Sequence, residues 1–163
     1  GDVRFAVLLH DLGKGITPED ELPRHIAHEF RGIKLVKAVC KRLKAPNQYR
    51  DLALKACEYH LHSHRAMELR GKTLLKLLTA TDALRRPDRF EAFLMACEAD
   101  ARGRLGLEDT PYPQRNYLRE AREIVMEVTA GLFPGVEDRA LGQAISEERV
   151  RRLDELRGNT GQR

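Results

Sequence analysis

Apolar residues recur along this chain at three- and four-residue steps, a spacing that commits nearly all of it to helices. Between Arg24 and Leu43, the residues Ile26, Phe30, Ile33, Val36, Cys40 and Leu43 form one stripe, with Lys34, Lys37, Lys41 and Arg42 off it. Pro46 and Asn47 open a second helix whose inward line is Ala53, Ala56, Cys57, His60 and His64. Thr73 to Leu84 predicts a third, with Leu75, Leu78 and Asp82 aligned. Pro87 suits the first turn of a fourth, built on Phe90, Phe93, Leu94, Cys97 and Ala101. Tyr117, Ala121, Ile124, Val125 and Val128 make a fifth stripe, and after a Gly131 to Gly135 break the pattern resumes toward Leu153 and Leu156. Val3 to Leu12 fits a strand or a buried helix on periodicity alone, and reads as a helix because everything after it is helical and no hairpin partner is present; Gly13 and Gly15 end it, and an exposed acidic loop follows from Thr17 to Pro23. The expectation is an all-α, compact multi-helix bundle over residues 1–157, with a tail at 158–163 that frays.

The bulk numbers narrow the function classes. At 163 residues the chain can bury a core without disulfide staples. It holds no apolar run of the roughly 20 residues that a membrane helix needs, and no signal-peptide pattern. Cys40, Cys57 and Cys97 are odd in number, lack metal-site spacing and fall on apolar helix positions, as reduced core thiols of a cytoplasmic protein do. A net charge of +4 leans toward an anionic partner, while 6% aromatics and no Trp argue against a base-stacking platform. Nucleic acid, if bound, is expected to be gripped by phosphate. Gly1-Asp2-Val3 enters a buried-looking segment at once, which leads us to expect a fragment of a longer chain.

His10 and Asp11 set an imidazole beside a carboxylate, and Asp82 would place a second carboxylate on an apolar helix face. A carboxylate there is costly unless an Arg, a hydrogen-bond network or a metal accepts it. Histidine and carboxylate together suit divalent Mn, Ni, Co, Fe, Zn or Mg, and such an ion activates water against phosphoesters. His28 and His60 each have a bland reading as helix-packing or hydrogen-bonded core residues. His25 and His64 read as solvated, and His62 points away from His60 on a continuous helix. Lys14 can contact a phosphate. Arg102 and Arg104 can grip one or pair with Glu98 and Asp100, and Lys37 and Lys41 are a solvated face or an RNA contact.

The order of His10-Asp11, histidines on two later helices and a lone Asp on a further one resembles the HD superfamily of metal-dependent phosphohydrolases. Gly13-Lys14-Gly15, the run from Glu21 to Glu29, Glu98 to Arg104, and Asp109 to Gln114 extend the likeness to the C-terminal HD domain of bacterial CCA-adding tRNA nucleotidyltransferases. The resemblance implies that His10, Asp11 and Asp82 fill metal-ligand slots and that His28 and His60 match the intervening histidine slots. With Ni, Mn, Co or Mg held there, His28, His60 and Lys14 are expected to serve catalysis, and the residues themselves offer Arg102, Arg104, Lys37 and Lys41 as phosphate or RNA contacts. The resemblance also implies 2′,3′-cyclic phosphodiesterase, 2′-nucleotidase and phosphatase activities. The parent enzyme would add CCA to the tRNA 3′ end from ATP and CTP, using Mg in a nucleotidyltransferase head that lies outside this sequence. The first His of the family pattern would also lie upstream, so the ion is expected to be held weakly and activity to be low. The alternative is a non-catalytic tRNA-binding or homodimerising module.

Overall fold

The computed structural model describes residues 1–160, and among them the fold is all-α. Among these residues seven helices follow one another, α1 (Asp2–Leu9), α2 (His28–Arg42), α3 (Asn47–His64), α4 (Gly71–Ala80), α5 (Pro87–Arg102), α6 (Gln114–Met126) and α7 (Asp138–Thr160), with short 3-10 turns between α1 and α2, α3 and α4, and α6 and α7. No helix among the described residues is long and apolar enough to cross a membrane. The chain divides into two compact units, one of residues 1–64 and 88–112, the other of residues 65–87 and 113–163.

In the first unit α1 and α2 both lie on α3. Phe5 meets Tyr49 edge-on at 5.7 Å, and Ala53, Ala56 and Cys57 are fully or almost fully buried. Two glycines decide how closely the other surfaces approach. A Cβ on Gly13 would stand 1.8 Å from the His28 carbonyl oxygen, and one on Gly32 would stand 2.6 Å from Cys57 Sγ. The turn after α1 can therefore lie directly on the start of α2. From α5, Phe90, Phe93, Leu94 and Cys97 are buried, each large side chain contributing about 1.5–3 kcal/mol.

The second unit packs α4 and α6 against α7. Asp154 of α7 accepts a hydrogen bond from the first backbone N–H of α4, at Gly71, at 2.7 Å, supplying the cap that Arg70 cannot. Arg149 donates to the Val125 and Val128 carbonyls, closing the C-terminal end of α6.

Several boundaries differ from the sequence reading. Helix α1 stops at Leu9, so His10 and Asp11 sit in the turn beyond it. Helix α2 begins only at His28, because Ala27 takes a left-handed φ of 55°. Its buried line is His28, Gly32, Val36 and Cys40, while Ile26, Phe30 and Leu43 are exposed. Helix α4 ends at Ala80, since Asp82 has φ 63° and Ala83 N–H turns back to the Leu78 carbonyl at 2.9 Å. That closure is the Schellman arrangement, with aspartate in the place glycine usually takes. At the other end of the chain α7 runs on to Thr160, whose hydroxyl donates to the Leu156 carbonyl, and the rest of the expected tail, 161–163, lies outside the described residues.

Candidate metal centre

The turn after α1 solves a geometric problem that a continuous helix would pose, because adjacent helical side chains diverge by about 100°. With His10 at the helix end and Asp11 at φ −104°, both side chains face the same place. The His10 Nε2 atom lies 3.2 Å from Asp11 Oδ2 and 3.1 Å from Asp100 Oδ1, the latter carried by α5. His28 Nε2, on the first turn of α2, is 3.1 Å from Asp11 Oδ1, and His60 Nε2 approaches the same oxygen at 3.6 Å.

All three imidazoles are held in the same way. The Nδ1 of His10 donates to the Val7 carbonyl at 2.6 Å, that of His28 to the His25 carbonyl at 2.8 Å, and that of His60 to the Ala56 carbonyl at 2.9 Å. A neutral imidazole that donates from Nδ1 presents a lone pair at Nε2. Three such lone pairs converge on carboxylate oxygens that can themselves only accept. His10 Nε2, Asp11 Oδ1 and His28 Nε2 are buried and make no hydrogen bond of proper geometry.

Buried acceptors facing acceptors need a positive charge between them, and the donor set fits a divalent cation. Among the described residues the groups able to surround an ion are His10, His60 and Asp100, and Asp11, His28 and His60, with the ligand atoms of each group within 4.8 Å of one another. Without an ion, a proton takes up part of that role. Burial opposes charge on His10, but the Asp100 and Asp11 carboxylates outweigh it and push the imidazole up to about 10. Burial alone would raise both aspartates, yet the His10 imidazole and Lys14 ammonium beside Asp11, and the His10 and His64 imidazoles beside Asp100, hold them well below the usual carboxylate range. His60 is shifted down, by burial and then by the charge on His10.

This constellation coincides with a family match. The HD domain model covers residues 1–93. The chain belongs to the HD domain family. It is 58% identical, over 94% of its length, to the multifunctional CCA protein of Alkalilimnicola ehrlichii, 53% over 91% to that of Hahella chejuensis, and 52% over 96% to that of Acinetobacter baumannii strain AYE. The chain spans 36–38% of the length of these curated relatives. No solved structure matches it.

Around the HD pair, the structure brings together His10, Asp11, His28 and His60 as residues of one centre and adds Asp100, which sequence reasoning had treated only as a partner for Arg102 or Arg104. Asp82 belongs to neither ligand group; it is half-buried in the turn after α4, in the second unit. Lys14 ion-pairs with Asp11 Oδ2 at the half-exposed edge of the cluster. Arg102 is engaged by Glu98 at 3.1 Å and by the Thr110 carbonyl at 3.1 Å, whereas Arg104, Lys37 and Lys41 are exposed. His25 is bonded to Thr17 at 2.7 Å and His64 to Asp100 at 2.7 Å, so both are half-buried in place of the solvated positions expected.

Proposed function

We propose that the HD centre is a metal-dependent phosphohydrolase site, held by His10, Asp11 and Asp100 with His28 and His60 completing the ring of donors. The observation that carries this reading is the convergence of three Nδ1-anchored imidazoles and two carboxylates with buried, unsatisfied ligand atoms. When bound there, a divalent ion such as Ni, Mn, Co or Mg polarises a phosphoryl oxygen and lowers the pKa of a water. Around it the chain's own groups hold geometry and charge. The Val7, His25 and Ala56 carbonyls lock the ring orientations, and Lys14 places an ammonium where an incoming phosphate would meet it.

The substrate class is a terminal or cyclic phosphate, a 2′-phosphate, a 2′,3′-cyclic phosphate or the tRNA 3′ end, in keeping with relatives named multifunctional CCA proteins. In that setting the whole protein is a cytoplasmic tRNA nucleotidyltransferase that builds CCA from ATP and CTP. The competing reading, a non-catalytic tRNA-binding or dimerising module, draws on the exposed Lys37 and Lys41 on the outer face of α2 and on Arg104. One assay separates them: metal-stripped protein is supplied with Mn, Ni, Co or Mg and given 2′,3′-cyclic AMP. Hydrolysis that requires added ion and falls by at least about 100-fold in Asp11→Ala supports the phosphohydrolase. No ion-dependent hydrolysis, or full activity in Asp11→Ala, overturns it.

A further inference from the structure

On α3, His64 is wired in the opposite sense to His60. Its Nε2 lies 2.7 Å from Asp100 Oδ2 and its Nδ1 3.1 Å from the Tyr112 hydroxyl, which in turn lies 3.0 Å from Ser63 Oγ. The direction of these bonds follows from their ends. An ionised carboxylate only accepts, so His64 must donate from Nε2. A neutral ring that donates there accepts at Nδ1, so the Tyr112 hydroxyl donates to His64 and is free to accept from Ser63. Every bond in the chain therefore points toward Asp100.

The consequence falls on the carboxylate. Asp100 Oδ2 is occupied by His64, and Oδ1 is left facing His10 Nε2 at 3.1 Å. His60, His10 and His28 keep Nε2 for the centre, and His64 spends its Nε2 on fixing which oxygen Asp100 presents. Ser63 is fully buried, and Tyr112 ends the exposed stretch that follows α5, so the relay ties that stretch to the metal centre.

We propose that His64 is a positioning residue for Asp100, and that Tyr112 and Ser63 fix its tautomer. The proposal rests on the metal reading above, and its test keeps the two apart. Mn titration by calorimetry on the full chain, paired with Co(II) visible absorption, is compared across wild type, Asp11→Ala, His64→Ala, His64→Gln, His64→Asn and Tyr112→Phe. Glutamine sets its amide NH₂ where the Nε2 of histidine stood, and asparagine does not reach it. His64→Ala and His64→Asn are expected to weaken Mn binding about 10- to 100-fold and alter the Co(II) spectrum, with His64→Gln within about threefold of wild type and Tyr112→Phe between. Equal affinity in wild type and His64→Ala, with Asp11→Ala impaired, overturns the positioning role and leaves the metal reading standing. Mn binding by neither wild type nor Asp11→Ala overturns the metal reading and this proposal with it. Nitrogen NMR of the ion-free chain adds a readout independent of affinity: His64 should be the Nε2–H tautomer, and an Nδ1–H form would contradict the relay.

Discussion

Individual side chains here are chosen for which atom they leave over. His10, His28 and His60 each place Nδ1 on a carbonyl three or four residues back, a local bond that an α-helix or its end supplies at no cost in chain length. Asp11 and Asp100 are legible to different degrees. The His10-Asp11 pair stands out as a dipeptide, whereas Asp100 signals only by continuing the Phe93–Cys97 line of α5, three residues past Cys97. Asp82 shows the same spacing on Leu75 and Leu78, and no glycine marks the end of that helix, so sequence spacing alone could not choose between the two aspartates. The cysteines behave as the sequence reading expected: all three are buried and free. Burial pushes the Cys57 thiol up to about 11 and Cys97 to about 12. Raised folded values mean that the native state keeps protons which the unfolded chain releases near pH 9, so this contribution to stability is complete below pH 9 and is lost as pH rises through 11 to 12. The denaturant midpoint should therefore drop between pH 8 and pH 10.5 by more in wild type than in the Cys57→Ala/Cys97→Ala double variant.

At the scale of elements, the centre depends on where helices stop. Had α1 run on through Leu12, as the helical character of the rest of the chain suggests, His10 and Asp11 would diverge; the 3-10 turn at Leu12–Ile16 brings them to one side. Gly13 and Gly32 let that turn rest on α2, a close approach visible only once the partner helix is in place. Ala27 holds a left-handed φ of 55° immediately before His28, at a cost of about 1–2 kcal/mol for a residue with a Cβ. Ala27→Gly should relieve that strain, less what glycine adds to the freedom of the unfolded chain, for a net gain of about 0.5–1 kcal/mol in urea denaturation with ion binding unchanged. The helical stripes of α3, α5 and α6 were legible because their apolar spacing and burial coincide. The start of α2 was not, because its inward line carries His28 and Gly32 where a sequence reader looks for Ile26 and Phe30.

At the scale of the molecule, the chemistry collects in one of the two units. His10, Asp11, His28, His60, His64, Asp100 and Tyr112 all belong to residues 1–64 and 88–112, and the chain leaves that unit between Arg65 and Pro87 before α5 returns with Asp100. The HD family match ends at residue 93, seven residues short of Asp100, so the carboxylate that we propose completes the donor set comes from the rest of α5. All-α class and family membership were therefore readable from pattern, while the choice of Asp100 over Asp82 as the proposed final ligand needed the fold. That choice is the central claim. Calorimetric titration of Mn or Ni into wild type, Asp82→Asn and Asp100→Asn tests it most directly. We predict that wild type and Asp82→Asn bind alike and that Asp100→Asn loses at least about tenfold in affinity; undiminished binding by Asp100→Asn, or loss in Asp82→Asn alone, would contradict it.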